Sequence, residues 1–140
     1  MEDVEYIAVV QCHIVKQRCS GYLCDRAFAQ RTGGFADYPT DRPIRTLHMT
    51  CGGCCGKATL RKLSHLTRQA AKDGIAKDRI VVHLSSCITK DNYHSPRCPH
   101  AEYIKQLVAR AGLRCREDTV ISAKAEERRR QGLYGPVEGR

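Results

Sequence analysis

The chain has 140 residues, of which 41% are hydrophobic and 28% are charged. This balance is typical of one globular domain and excludes a disordered chain. The apolar runs are too short for a transmembrane helix, so we expect no membrane partner. A formal charge of +9 favours solubility and loose attraction to polyanions, but it indicates little about the fold.

Nine cysteines and six histidines are the unusual feature of the composition. The amino-terminal segment, Met-Glu-Asp-Val-Glu, has neither the basic nor the apolar region of a secretory signal, so we expect a cytoplasmic protein. In that reducing compartment a cysteine-rich sequence favours metal or thiol chemistry over a disulfide framework. An odd number of cysteines also fits a complete set of disulfides poorly.

The first part of the chain predicts a buried strand followed by a short helix. Residues 6–10 are all apolar, which predicts a strand over 5–12 that is covered on both faces. A helix is expected from about residue 20 or 21 to residue 31, because the glycines that follow can end it. The side chains expected to face inward from this helix are Leu23, Ala27 and Phe28.

Two further strands flank the most regular helix of the sequence. Residues 44–50 have mixed polarity, which is typical of a strand at the edge of a sheet. Residues 56–73 carry apolar side chains at helical spacing, and Gly74 lies just past their end. Residues 79–85 contain a second apolar run and predict another central strand. The inward positions of the helix are expected to be Leu60, Leu63, Thr67, Ala70 and Ala71.

The last third of the chain predicts a long loop over 86–97, a helix with Pro99 in its first turn, and a weak strand over 113–122. The apolar stripe of this helix consists of Ala101, Ile104, Leu107, Val108 and Ala111. Residues 1–122 are therefore expected to form one domain. Residues 123–140 are expected to form a basic tail, either a frayed helical extension or a disordered segment.

The predicted order of elements is β-α-β-α-β-α-β. Right-handed crossovers then require a mostly parallel four-stranded sheet with helices on both faces, which is a flavodoxin-like three-layer α/β fold. The strand order 2-1-3-4 places the two most apolar strands in the middle. Ligands bind such sheets beyond the carboxyl ends of the strands, near the switch between the first and third strands.

All cysteines except Cys115 follow the carboxyl ends of predicted strands, and Cys115 is interpreted as a small apolar residue. The sharpest motif is the Cys51-Gly52-Gly53-Cys54 turn, which places two sulfurs within reach of one ion and lets backbone amides face them. A single CxxC turn supplies half of a tetrahedral zinc site or of a four-cysteine cluster. Cys12 and Cys87 are the expected completions, because their strands are neighbours.

A second group of candidate ligands follows the first and third strands, and it could form a Cys3His site. This group is Cys19, Cys24, Cys98 and His100. Whether the chain has one site with spare thiols or two sites stays open. His83 lies in a predicted buried strand and is expected to be a hydrogen-bonded core histidine. The histidines without a partner at ligand spacing, for which no role is expected, are His13, His48, His65 and His94.

Several segments together carry a resemblance to a known family. They are Cys12, Cys19 and Cys24, the Cys51–Cys54 turn, residues 83–87, and Cys98-Pro99-His100. Across residues 6–113 the sequence resembles the CGGC domain family, which is named for this turn. The resemblance implies a metal-binding role, zinc-like in character, and no known reaction or substrate. Cys55 stands where a proline is expected in relatives, so it is either a spare thiol or an additional ligand.

Four classes of function are weighed. The first is a metal-binding protein that holds zinc or an iron–sulfur cluster, and the second is a thiol–disulfide redox protein that uses Cys51 and Cys54. A phosphatase-like or arsenate-reductase-like class rests on C-x5-R spacing at 12–18 and 55–61, but the first loop has no glycine and the second segment lies mostly inside a predicted helix. Nucleic-acid binding is disfavoured, because basic helix faces are mostly solvated and aromatic residues are few.

Overall fold

The computed structural model describes residues 3–92 and 95–136. Within these ranges the strands are Tyr6–Gln11 (β1), Arg45–Thr50 (β2), Ile80–Leu84 (β3) and Arg114–Arg116 (β4). The α-helices are Tyr22–Gln30 (α1), Lys57–Lys72 (α2), Ser86–Thr89 (α3), Ala101–Arg110 (α4) and Ala123–Arg130 (α5). In this described part of the chain, no helix combines the length and apolar character needed to cross a membrane. His94 and residues 137–140 of the predicted tail lie outside the described residues.

The four strands form one parallel sheet in the order β2-β1-β3-β4. The predicted α/β fold and strand order are therefore confirmed. The two apolar strands lie in the middle, where every residue of β3 and all of β1 after Tyr6 are buried. β2 lies at an edge, and its exposed or half-buried residues explain the mixed polarity of its sequence.

Alternation of side chains along β1 separates two hydrophobic cores. Ala8 and Val10 pack into a core with α2 and α4. Ile7 and Val9 pack on the opposite side of the sheet, in a core with α1 and Phe35. The same alternation decides on which side of the sheet the residues that follow β1 are placed.

Several elements differ in detail from the sequence predictions. Leu23 is 40% exposed, because α1 turns it away from the core that buries Ala27. In α2 the buried stripe includes Leu66, whereas Ala71 is exposed. Pro99 lies in the turn before α4 rather than inside the helix, α3 occupies the start of the predicted long loop, and the last strand shortens to β4.

Residues 123–130 of the predicted tail form α5. Its amino terminus is capped by Ser122, whose hydroxyl accepts a hydrogen bond from the amide of Ala125 at 3.1 Å. The guanidinium of Arg129 donates to the carbonyl of Asp91 at 2.8 Å and to the side chain of Asn92. α5 is therefore joined to the loop after α3 by polar contacts, with Ala125 as its buried apolar residue.

His83 is fully buried in β3 with both ring nitrogens paired. Its Nδ1 lies 2.8 Å from the carbonyl oxygen of Asp118, and its Nε2 lies 2.6 Å from the hydroxyl of Tyr38. A carbonyl only accepts, so Nδ1 carries the proton and Tyr38 donates to Nε2. Burial lowers the pKa of His83 to about 4 and raises the pKa of Tyr38 to about 12. The prediction of a hydrogen-bonded core histidine is confirmed.

Candidate thiol site at the carboxyl edge of the sheet

Three cysteines follow three neighbouring strands at one edge of the sheet. Cys12 comes directly after β1, Cys51 comes directly after β2, and Cys87 lies in α3 just past β3. Parallel strands end at the same edge, so the sheet itself brings these segments together. The pairing continues beyond the strands, because the amide of Cys51 donates to the carbonyl of Gln11 at 2.9 Å. All three cysteines pack against the core formed with α2 and α4.

Two consecutive backbone amides at the end of β1 donate to two of these sulfurs. The amide nitrogen of Cys12 lies 3.3 Å from Sγ of Cys87, and that of His13 lies 3.5 Å from Sγ of Cys51. The hydroxyl oxygen of Ser85 also lies 2.7 Å from Sγ of Cys87. Donors that face a sulfur favour its charged form and tune a metal–thiolate bond. The two amides at the end of β1 thus favour the thiolate forms of both Cys87 and Cys51.

Burial acts against that support at Cys87. Desolvation raises the pKa of its thiol, whereas the Ser85 hydroxyl and the Cys12 amide lower it. The nearby thiols of Cys12 and Cys24 raise the pKa of Cys87 further when they are charged. A cation that binds Cys87 must therefore displace its proton, which makes binding dependent on pH.

The Cys51–Cys54 turn places one buried and one exposed thiol before α2. Gly52 has a φ of +86°, and a Cβ there would lie 2.5 Å from the Cβ of Ala58, so this position requires glycine. The amide of Ala58 donates to Sγ of Cys54 at 3.5 Å. This amide and others at the start of α2 lower the pKa of Cys54. Cys54 is therefore the exposed thiol of the pair that ionises more readily than an ordinary cysteine.

The structure does not bring the second predicted group together. Cys24 and Cys19 line a cavity on the α1 side of the sheet, where Sγ of Cys24 is 3.2 Å from the hydroxyl of Thr119. Cys98 packs against the core on the opposite side. Its Sγ accepts a hydrogen bond from the amide of His100 at 3.4 Å, and the side chain of His100 is exposed. A single Cys3His site from these four residues is therefore not formed.

The donor chemistry of the edge fits a soft cation, but the side chains do not close a coordination shell. Thiol sulfur is a preferred ligand of zinc and of iron–sulfur clusters, and a structural zinc site takes four ligands. Within residues 3–92 and 95–136, no three side chains of His, Cys, Asp or Glu form a group that could hold a metal ion. Coordination at this edge therefore requires the thiol side chains to rotate from their positions in this structure.

His13 lies beside the end of β2 at this edge, although the sequence indicated no role for it. Its Nδ1 is 3.1 Å from the hydroxyl of Thr50, and a Cβ added to Gly53 would lie 3.1 Å from its ring. The imidazole therefore lies against the CxxC turn, where it is a further candidate nitrogen ligand. The only signal in the sequence is that His13 directly follows Cys12 at the end of β1.

The loop after β1 does not form an oxyanion cradle. The amides of residues 16, 17 and 18 donate to the carbonyls of residues 12, 14 and 15, at 3.0 to 3.1 Å. These amides are paired within a short 3-10 turn over Val15–Gln17. They therefore cannot wrap a phosphate as the C-x5-R class of enzymes requires.

A parallel α/β sheet with cysteines beyond three neighbouring strands defines the protein as a thiol-rich α/β domain. The CGGC domain family matches residues 6–120 of the 140, and the chain belongs to this family. The resemblance inferred from the cysteine motifs is thereby confirmed, and the family suggests a metal-binding role. No curated protein and no solved structure gives a significant match to the chain.

Proposed function

We propose that this protein binds a soft metal ion through thiolates at the carboxyl edge of the sheet, with Cys12, Cys51 and Cys87 as principal ligands. The observation that carries the proposal is the pair of consecutive amides at the end of β1. They lie 3.3 Å and 3.5 Å from the sulfurs of Cys87 and Cys51. Amide donors stabilise a thiolate more than a thiol, and a thiolate is what a cation binds. Membership of the CGGC domain family supports the same role.

The fourth ligand is proposed to be Cys54. It is exposed, its pKa is lowered by the amides at the start of α2, and it lies three residues from Cys51. Rotation of its side chain needs no change in the core. His13 is the alternative fourth ligand, because its exposed ring lies against Gly53. The remaining predicted ligands are left outside this set, because they lie on the other side of the sheet or in the turn before α4.

Zinc is the proposed ion, and an iron–sulfur cluster is the alternative, because thiolates hold both. Zinc requires only a closed four-coordinate shell, whereas a cluster requires four sulfurs in a protected pocket. Metal analysis and a visible spectrum of protein purified without oxygen distinguish the two. A colourless protein with stoichiometric zinc supports the first, and visible absorption with stoichiometric iron supports the second.

Serine variants test which sulfurs bind the ion. We expect Cys12→Ser, Cys51→Ser and Cys87→Ser each to weaken zinc binding by about tenfold or more, measured in competition with a chromophoric chelator. Cys115→Ser is the matched control. Cys115 lies inside β4, where it pairs with the middle of β3, away from the carboxyl ends of the strands. This control should bind zinc like the wild type. Equal zinc affinity in all four variants would contradict the proposal.

Thiol–disulfide exchange by the Cys51–Cys54 pair is the second candidate function. It is favoured by the contrast between the exposed Cys54, whose pKa is lowered, and the buried Cys51. In this reaction the Cys54 thiolate attacks a substrate disulfide and releases one substrate thiolate. The Cys51 thiolate then attacks the Cys54 sulfur of the mixed disulfide and releases the second. Two electrons pass to the substrate, and the protein retains a Cys51–Cys54 disulfide.

A pulse of iodoacetamide at pH 7 tests the nucleophile. Cys54 is expected to react about tenfold faster than Cys87, because the pKa of Cys54 is lowered and that of Cys87 is raised by burial. Peptide mass spectrometry measures the order of modification. Modification of Cys87 before Cys54 would count against the assignment. Insulin reduction that persists after chelation, and that Cys54→Ser abolishes, would favour redox chemistry over metal binding.

A further inference from the structure

A cavity of about 300 Å³ lies on the side of the sheet opposite α2 and α4. Its walls come from the end of β1, from residues 15–24 and from residues 119–125. It lies beyond the carboxyl ends of β1 and β3, the region where ligands bind in doubly wound α/β folds. Its volume is at the lower end of the range for small-molecule sites. The wall formed by residues 119–125 extends past residue 120, where the family match ends.

Gln11 lines this cavity and carries an unpaired polar atom. The residue is only 2% exposed, and its Oε1 has no hydrogen-bond partner in the part of the chain that the structure describes. A buried acceptor without a partner is unfavourable and uncommon, so a donor from a ligand is expected to pair with it. Gly21 leaves room for this group, because a Cβ there would lie 2.9 Å from Nε2 of Gln11.

The charged side chains that line the cavity are positive. Among the described residues that line it, the charged side chains are Lys16 and Lys124. The Nζ of Lys16 donates to the carbonyl of Ser20 at 2.8 Å, which fixes the ammonium group beside the cavity. Two ammonium groups without a lining carboxylate favour an anion and disfavour a metal cation.

The remaining wall is mostly apolar, as small-molecule sites usually are. It is formed by Val15, Leu23, Val120, Ile121 and Ala125. The exposure of Leu23, which the helical pattern did not predict, places an apolar side chain at this wall. The thiols of Cys24 and Cys87 also line the cavity and add soft, weakly polar surface.

We propose that this cavity binds a small organic acid with an apolar body, a carboxylate near Lys16 and Lys124, and one N–H or O–H donor that reaches Oε1 of Gln11. The body of the ligand packs against the apolar wall under α5. This binding goes beyond the proposed metal site and uses no metal ion. Cys87 is common to the two sites, so each activity is measured without the ligand of the other.

Indole-3-acetate is a suitable probe, because it combines an apolar ring, one N–H donor and a carboxylate. Titration into the isotope-labelled full chain, followed by NMR, is expected to give a Kd of about 1 mM or below. The largest shift changes are expected at Gln11, Leu23, Val120 and Ala125. The 1-methyl analogue, which lacks the donor, and indole-3-acetamide, which lacks the charge, are each expected to bind about fivefold more weakly.

Two variants assign the two polar contacts. Lys124→Glu is expected to weaken binding of indole-3-acetate about fivefold, whereas Lys72→Glu makes the same charge change at the end of α2 and should have no effect. Gln11→Leu removes the acceptor and is expected to erase the preference for indole-3-acetate over its 1-methyl analogue. This comparison of two ligands on one variant is insensitive to a change in overall stability.

Three results would overturn the inference. The first is the absence of saturable shift changes up to the solubility limit of indole-3-acetate. The second is saturable binding whose shift changes lie outside the cavity. The third is equal affinity of the wild type for all three indole ligands. Zinc binding measured on the same samples reports separately on the thiol edge, so failure of the metal proposal is distinguishable from failure here.

Discussion

At the scale of single residues, His83 has the chemistry of a metal ligand but is buried in β3, away from the thiols at the carboxyl edge. Both of its nitrogens are paired inside the protein, with Tyr38 and with the carbonyl of Asp118. The ring of Phe35 lies 4.6 Å from the imidazole, centroid to centroid. His83 is therefore held neutral in the core, and it stabilises the packing of β3 rather than binding an ion.

The neutral state of His83 predicts a dependence of stability on pH. Its folded-state pKa of about 4 lies below the ordinary value of 6.5, so the unfolded chain binds more protons between these values. Stability is therefore fully present above pH 6.5 and falls as the pH drops towards 4. Between pH 7 and pH 5 the loss from this residue is expected to be about 2 kcal/mol in urea unfolding.

His83→Gln supplies the control for that measurement, because glutamine does not titrate. The variant is expected to be less stable at pH 7, yet its stability should change less between pH 7 and pH 5 than that of the wild type. A pH dependence as steep in the variant as in the wild type would show that other groups cause it.

At the scale of elements, α5 is joined to the domain mainly through one arginine. Arg129 donates to the carbonyls of Asp91 and Gly135 and to the side chain of Asn92. Arg130, its neighbour, pairs with Glu127 on the same helix. Arg129→Ala is therefore expected to lower the stability of α5 by about 1–3 kcal/mol and to increase hydrogen exchange at residues 123–130.

Arg130→Ala is the matched control, since an exposed pair within one helix contributes little. Exchange at α5 should stay close to that of the wild type in this variant. Equal exchange at α5 in both variants would mean that Arg129 does not hold the helix. Since Lys124 and Ala125 line the cavity, Arg129→Ala is also expected to weaken binding of indole-3-acetate.

The helical pattern predicted α2 and α4 well, because their apolar residues recur at the period of a helix packed on a sheet. It did not reveal the packing of α5, whose buried apolar residue is Ala125. That helix is attached by polar contacts between distant residues, and no hydrophobic period reports such contacts. α3 was missed for a different reason, because four residues are too few to show a period.

At the scale of the whole molecule, the strand order of the sheet determines which cysteines come together. The apolar runs in β1 and β3 predicted a parallel sheet, and a parallel sheet places Cys12, Cys51 and Cys87 at one edge. That convergence of backbone segments was predictable from the sequence. The side of the sheet that each thiol faces was not, because one residue of register reverses it.

The two sides of the sheet offer different chemistry at the same edge. Thiols packed on the α2 and α4 side receive amide hydrogen bonds, whereas the α1 and α5 side encloses a cavity with two ammonium groups and an unpaired amide oxygen. Cys87 belongs to both, since it follows β3 beside Cys12 and also lines the cavity. The sequence left open whether the candidate ligands form one site or two, and it grouped Cys19 and Cys24 with Cys98, which packs on the other side of the sheet.

Cobalt(II) titration of the reduced protein tests the central claim most directly. Absorption from thiolate-to-cobalt charge transfer requires sulfur ligands, and its intensity rises with the number of thiolates bound. We predict a saturable near-ultraviolet band for the wild type and for Cys115→Ser, and a weaker band for Cys12→Ser, Cys51→Ser and Cys87→Ser. A reduced wild-type protein that takes up no cobalt, or bands of equal intensity in all the variants, would contradict thiolate binding at this edge.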